Sequence, residues 1–521
     1  MRLPRITDEN RRWWILGNMT LALAMIMIDA TVVSVALPTI QEEFDSSQSE
    51  VQWVMNAYLL SLAVLVALGG RLGDMFGHGR IFKIGVAIFI LSSAAAGAAQ
   101  SDTWLIAARA IEGGGAALMI PATMAIVTNS FPADMRGLAM GIFAGISMVA
   151  LALGPLLGGV LTQEVDWRAI FYINIPIGII AVAVTYLTLR EEVRREDAKF
   201  DWLGLAPLIF GLTAVVLALM QSSTWGWGSP ATIILLVGGL LTLVAFVLIE
   251  LRVEEPLVEM RLFKNRNFSV DVSVLGAVQF TLMGLTVFGA IWIQNVLGFD
   301  PIEAGLSLLP ITIPVLFAAP IAGRYYDRIG PRFLVGMGTA LAAIGFAWCA
   351  LFLDKESFPW LIPGYILLGI GIGQVMTPTN TDGMNSAQPE LRGQAGGVIQ
   401  TMRQVGGTVG LAIMGAVVAG VQKSSLNESL SSQSGISSEQ LSKVDGLLSQ
   451  AEAGQQEALS KLPAGVLEDA AEALTSAVST TYWLAAGLLV VTCVVAVTLL
   501  RQQRAVDADD ARETHPRHPA V

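Results

Sequence analysis

Charge is what this sequence has least of. Asp, Glu, Lys and Arg make up 14% of its 521 residues and apolar side chains 54%, whereas a soluble domain carries about 25% charged residues. With a mean hydropathy of +0.63, so many long apolar runs cannot be hidden inside a globule. The composition points to an all-α integral membrane protein of many spans. Cysteine is nearly missing as well. Cys349 and Cys493 both sit in apolar runs, which excludes a disulfide framework and leaves two small core residues. The only histidines are His78 in a loop and His515 and His518 in the tail, too few and too scattered for a membrane enzyme such as an acyltransferase. No Gly-x-x-x-x-Gly-Lys-Ser/Thr loop occurs, so an internal ATPase is excluded and energy is expected from an ion gradient. No cofactor or metal is called for. The net charge of −11 gives no reason to expect a nucleic-acid partner. The first residues lack a small-residue cleavage site, and the run behind them is too long for a signal peptide, so it is read as a retained first helix.

A helix needs roughly 20 apolar residues to cross a bilayer. Fourteen such runs are expected, near 14–36, 51–70, 81–99, 103–127, 138–161, 170–189, 203–220, 231–250, 268–296, 304–322, 333–353, 360–381, 394–421 and 481–500. An even number puts both termini on one side. With that side inside, 24 of the 31 Lys and Arg are cytoplasmic, and five (Arg168, Lys355, Lys423, Lys443, Lys461) lie outside. This bias assigns both termini to the cytoplasm. Arg109 and Arg403 fall within spans.

The chain repeats itself. "GRLGDMFGHGR" from Gly70 matches "GRYYDRIGPR" from Gly323 at an offset of 253, and Arg136-Gly137 matches Arg392-Gly393 at 256. "GGGAALMIPAT" in the fourth run pairs with "GIGIGQVMTPT" near the same offset. The expected organisation is therefore a cytoplasmic N-terminus (1–13), a six-helix bundle (14–200), an inserted helix pair (201–252) and a second six-helix bundle (253–501). The second bundle carries an extracytoplasmic loop at 422–480, read as short amphipathic helices or a linker, and a disordered tail follows at 502–521. Halves related by an axis along the membrane normal place a substrate site between them, near the midplane.

Charged residues inside spans are expensive and so are candidates for function. Asp29 interrupts the first run. Arg109 and Glu112 are three apart and share a helix face, which suits a proton-relay pair facing a central cavity or a structural ion pair. Asp74 and its repeat copy Asp327 lie at the cytoplasmic edge, where each could accept hydrogen bonds from a neighbouring helix N-terminus or pair with arginine, latching one conformation. Gly154, Pro155, Gly158 and Gly159 give the fifth helix a small, kinked face suited to tight packing and to limiting proton leak. Met25, Gln52, Trp53, Asn56, Tyr58, Trp292 and Gln294 are candidates for lining an apolar, adaptable cavity. Arg403 either joins them or snorkels to the cytoplasm. Asp271 is expected near the inner interface.

"GGRLGDMFGHGR" resembles the loop signature of the major facilitator superfamily, with Gly70, Leu72, Asp74, Gly77 and Arg80 in its positions and His78 and Gly79 departing from it. Arg109, Gly113 and Gly115 fit the family's fourth-helix motif, where Glu112 replaces a glutamine. Gly154-Pro155-x-x-Gly158-Gly159 resembles the signature of exporters that exchange substrate for protons. "IDATVVSVALP" and "VDWRAIFYINIPIG" are similar to the drug:proton antiporter subfamily with fourteen helices. The resemblance implies two pseudo-symmetric six-helix bundles plus an inserted pair, and proton-coupled export of lipophilic, cationic small molecules across a bacterial cytoplasmic membrane. Burial favours a neutral Asp29 and a nearby Arg109 favours a charged one, a balance that would let it trade a proton for a cation. The rivals are an exporter of one endogenous metabolite, lipid, antibiotic or siderophore, and a non-transporting sensor. The partners are thus the substrate, protons and the bilayer. The oligomeric state stays open and is compatible with a monomer.

Overall fold

The computed structural model describes residues 6–189, 201–432 and 464–502. Among these, fourteen helices are long and apolar enough to cross a membrane. The first half holds α1 (Arg11–Phe44), α2 (Gln48–Phe76), α3 (His78–Gly97), α4 (Asp102–Ser130), α5 (Arg136–Glu164), the short α6 (Ala169–Tyr172) and α7 (Asn174–Thr188). The inserted pair is α8 (Trp202–Trp225) and α9 (Pro230–Glu250). The second half holds α10 (Arg266–Asn295), the short α11 (Pro301–Leu306), α12 (Leu309–Ile329), α13 (Pro331–Phe352), α14 (Phe358–Ser386), α15 (Arg392–Ser432) and α16 (Ala464–Leu499).

Helix ends are set by local chemistry. The Ser47 side chain accepts from the Glu50 amide, and the Glu50 side chain accepts from the Ser47 amide, a capping box that satisfies two orphan donors at the start of α2. Asp300 and Glu303 repeat the device at α11. The turns α2–α3 and α12–α13 are made at Gly77 (φ 90°) and Gly330 (φ 78°). They occupy equivalent repeat positions, and both need a backbone conformation that glycine alone adopts freely.

Arg11 and Leu499 lie on one face, proximal below; the opposite face is distal. Trp13 packs on Phe131, Arg136 donates to the Phe131 carbonyl and to Asn385, and Gln502 reaches the Ile329 carbonyl, so these ends cluster together. Exposed Trp13 and Trp202 ring the proximal end; exposed Trp104, Trp227 and Trp360 ring the distal end. Such aromatic belts mark the two interfaces of a bilayer.

Within the first half α1 packs on α5 and α2 on α4, and the second half repeats this with α10 on α15 and α12 on α14. The halves meet where α5 packs on α12 and α2 on α15. The inserted pair stacks mainly on itself, with α8 touching α2 and α15. In α9, Ile234 and Leu241 are exposed, as suits a lipid-facing helix.

Two helices run further than expected. α15 continues to Ser432 and α16 starts at Ala464, because "VLEDAAEALTSAV" carries strong helix formers and no proline or internal glycine to stop it. The rest of the expected loop, 433–463, and the tail from 503 lie outside the described residues.

Candidate functional site: a buried charge triad above a two-fold proximal seal

Three charged side chains meet inside the first half. Arg109 Nη1 donates to Asp29 Oδ2 at 2.6 Å and to Glu112 Oε2 at 2.8 Å. Its Nε donates to the Val54 carbonyl at 3.3 Å, and its guanidinium lies 4.2 Å from the centre of the Tyr58 ring. Asn174 Nδ2 donates to Asp29 Oδ1 at 2.9 Å and to Ser93 Oγ at 3.0 Å. Asp29, Arg109 and Glu112 are 0–1% exposed. Glu112 Oε1 accepts no hydrogen bond from the described residues within ordinary bonding distance. Two carboxyls against one guanidinium leave one negative charge without a counter-ion when both are ionised, and in a dry site that charge is expensive.

Every bond of this triad comes from α1, α2, α3, α4 and α7. The expectation that Arg109 and Glu112 face a central cavity is not met in this conformation. The guanidinium has five donors to satisfy, and their acceptors lie within its own bundle. Arg109 is seven residues from the distal start of α4, about 10 Å along the helix axis, so the triad sits in the distal half. Above it, Trp167 and Arg168 hold the Glu43 carboxylate, Trp167 Nε1 at 2.6 Å. These bonds to Glu43 raise the pKa of Arg168 above its usual value.

α5 packs its small face on α1 beside Asp29. Gly154 lies against Thr31 and Gly158 against Val32; Gly159 is buried. Pro155 has no amide hydrogen, so the Leu151 carbonyl loses its helical donor. Thr31 Oγ1 supplies the replacement at 3.0 Å. Pro155 also lies near Gly305 of the second half.

The proximal face is closed by two equivalent contacts. Asp74, at the end of α2, accepts from the Gly393 and Gln394 amides at 2.7 and 2.8 Å. Asp327, at the end of α12, accepts from the Gly137 and Leu138 amides at 2.7 and 3.1 Å. Each carboxylate caps the N-terminus of a helix in the other half, where the helix dipole favours negative charge. The backbones nearly touch, Gly70 against Gly393 and Gly137 against Gly323, and a Cβ at any of the four would strike the opposing carbonyl. His78 Nε2 stands 3.4 Å from Asp74 Oδ1. Arg80 is exposed and has no partner among the described residues, so the contact uses helix amides rather than that arginine.

The remaining cavity candidates divide. Met25, Tyr58 and Trp292 are buried in packing, the last donating to Thr475 at 2.8 Å. Trp53, Asn56 and Gln294 are half-buried and Gln52 is exposed. Arg403 is half-buried and donates to Gln400 at 3.3 Å. It lies eleven residues from the start of α15, about 16 Å up the helix, so it does not snorkel to the proximal interface. Asp271 lies five residues from the proximal start of α10, toward the inner interface, and is fully buried there against α14.

A family model described as Major Facilitator Superfamily matches residues 19–411. The chain belongs to the major facilitator superfamily. Among relatives of this superfamily, it is 34% identical over 414 residues to the tetracenomycin C resistance and export protein of Streptomyces glaucescens, covering 79% of this chain and 77% of the relative. It is 35% identical over 419 residues to the puromycin resistance protein pur8 of Streptomyces alboniger, covering 79% and 83%. The multidrug resistance protein Stp of Mycobacterium tuberculosis is 32% identical over 400 residues, covering 77% and 74%. Among solved structures, the proton:xylose symporter XylE shares the fold with a TM-score of 0.60 at 13% identity, covering 97% of this chain and all of that one.

Sequence reasoning missed the polar partners of this facilitator's charges. Asn129 accepts from Arg392 and Asn385 from Arg136, so each arginine crosses to an asparagine of the other half. The signal was present, since Asn129 and Asn385 recur at the same 256-residue offset as the arginines. Asn174 and Ser93 gave no such signal.

Proposed function

We propose that this facilitator is a proton-coupled drug exporter of a bacterial cytoplasmic membrane, with its proximal face and both termini in the cytoplasm. The Lys and Arg bias supports that orientation, and the printed names of the relatives, resistance and export of antibiotics, support drug efflux as the activity. The observation that carries proton coupling is the sharing of one buried guanidinium by Asp29 and Glu112. A proton on either acid removes the uncompensated charge; its loss restores that charge, so protonation biases which conformation is stable. The proximal seal is the element that both Asp74 and Asp327 hold closed. When it parts, substrate enters from the cytoplasm, and when the halves rock back it leaves on the distal side. One charge moving across 100 mV supplies about 2.3 kcal/mol, enough for roughly a forty-fold gradient of a neutral solute.

The cargo is amphipathic, and cations are the first class to test. A cation would have to compete with Arg109 for Asp29. The rival, an exporter dedicated to one antibiotic, draws support from relatives named for single compounds. Everted vesicles with an imposed pH gradient separate these readings when given cationic dyes and puromycin. Transport of several unrelated compounds supports broad efflux, and transport of one supports the rival. Asp29→Asn and Glu112→Gln should each cut gradient-driven transport at least about tenfold, which corresponds to 1.4 kcal/mol of coupling. Full gradient-driven transport in both variants would rule out these coupling residues.

A further inference from the structure

A second pair of acids lies in the other half, at the opposite end of the membrane from the triad. Asp271 is on α10, five residues from its proximal start, and Asp382 is on α14, four residues from its proximal end. They are 0% and 5% exposed. Among the described residues neither Asp271 oxygen meets a hydrogen-bond donor; its side chain packs against Gly383 of α14 and faces the Asp382 carboxyl at hydrogen-bonding range. Asp382 in turn accepts from Asn267 Nδ2 at 2.9 Å and from Tyr326 Oη at 2.9 Å. Among the described residues no lysine or arginine bonds either acid. The cation in the network is Arg136, whose Nη1 donates to Asn385; Asn385 in turn donates to Tyr326 Oη at 3.2 Å. α15 contributes the apolar Ile399, packed against Gly383, and the chain after α16 contributes the Arg501 backbone to Asn267.

Two carboxyl groups in contact, with no cation and no water access, cannot both be charged. A hydrogen bond between them needs a proton on one. The two donors on Asp382 favour the charge there and the proton on Asp271. We infer that Asp271 and Asp382 form a second proton-binding site, which holds one proton while the proximal face is sealed and releases it to the cytoplasm when that face opens.

The geometry ties this proton to the seal. Tyr326 is the neighbour of Asp327, whose carboxylate caps α5, and Arg136 is the neighbour of Gly137, the amide it caps. The chain Asp271, Asp382, Tyr326, Asn385, Arg136 thus runs from the second half into the first, one residue from the closing contact. Losing the proton leaves two repelling carboxylates that only separation of α10 from α14, or water, can relieve. The inference rests on the alternating-access reading above but not on the roles given there to Asp29 and Glu112.

The test measures the seal directly. In full-length protein in lipid nanodiscs, with Cys349→Ala and Cys493→Ala, spin labels at Arg80→Cys and Arg328→Cys report the distance across the proximal face as pH is varied. These measurements are made in the Asp29→Asn/Glu112→Gln background, which removes the triad's own titration. Because the sealed form holds the proton more tightly than the open form, the sealed-to-open ratio falls by up to about tenfold per pH unit between the midpoint of the open form and the higher midpoint of the sealed form. Asp271→Asn should keep the sealed distance at acidic pH, which shows that it folds, and should hold it under about a twofold change across the range. Asp382→Asn, which still accepts from Tyr326, carries the same test if Asp271→Asn does not fold. A flat response in the parent background, or an unchanged slope in the asparagine variant, overturns the second site. Neither result touches the proposal of proton-coupled export, which stands on the transport assay.

Discussion

At the scale of single residues, the chain places its most costly groups where each has a specific partner. Arg109 is the hub. Replacing it with alanine leaves Asp29 and Glu112 buried together without a cation, a loss of about 3–5 kcal/mol for a broken buried pair. The expected outcome is a large drop in the thermal midpoint of the detergent-solubilised protein, partly recovered by adding Asp29→Asn and Glu112→Gln. If recovery is absent, the acids are not what the arginine compensates. Thr31 makes a second residue-level case. Thr31→Val strands the Leu151 carbonyl and should cost about 1–3 kcal/mol. Pro155→Ala returns the backbone donor, so the double variant should be less damaged than the sum of the two singles, as read from a double-mutant cycle of thermal stability. Additive effects would show that Thr31 does not stand in for the missing amide.

Much of this was legible in the sequence, and the reason is local. Arg109 and Glu112 share a face because they are three apart, and Asp74 and Asp327 stand out because the motif around them recurs. The Asn174–Asp29 bond spans 145 residues and the Asp271–Asp382 contact more than a hundred. No periodicity or spacing joins such positions; only the packing of α7 on α1 and α14 on α10 does. The same limit explains why Arg109 was expected to face a cavity. Its helix face was readable, but which neighbours that face meets was not.

At the scale of elements, the proximal seal is held by carboxylates on helix N-termini and by closely approaching glycine backbones. Closure therefore depends on close approach. Gly393→Ala and Gly137→Ala each put a Cβ into an opposing carbonyl, so both should hold the face open. The expected result is faster reaction of a proximal cysteine with a water-soluble thiol reagent, with transport reduced at least about tenfold. Asp74→Asn and Asp327→Asn should act in the same direction and by similar amounts, since the two contacts are copies. Slower labelling in the glycine variants would mean that these backbones do not approach during the cycle. The inserted pair is tied to this seal through its linker, where Arg71 meets Glu255 at 3.3 Å and the Glu259 amide donates to Gln394 at 2.8 Å. Arg71 is buried and Glu255 only partly exposed, so Glu255→Gln takes the counter-charge from a buried guanidinium and should speed labelling.

At the scale of the whole molecule, the same six-helix plan is used twice, but its charges are not. The first half keeps a guanidinium between two acids in the distal part of the membrane. The second keeps two acids with no cation at the proximal end. The symmetric parts are Asp74 with Asp327, which cap helices of the opposite half, and Gly77 with Gly330, which make the equivalent turns. On the proposed function, the asymmetric parts serve the proton. Substrate and proton therefore need not occupy one spot; they need only favour opposite conformations, which is sufficient for exchange.

The most direct measurement of that claim is proton release on substrate binding. Purified protein in weakly buffered detergent is mixed with a transported compound, puromycin for instance, and the pH is followed with an indicator dye. The account predicts that wild type releases protons as the compound binds and that the Asp29→Asn/Glu112→Gln variant, left with the second site alone, releases fewer. Equal proton release from both proteins would contradict it.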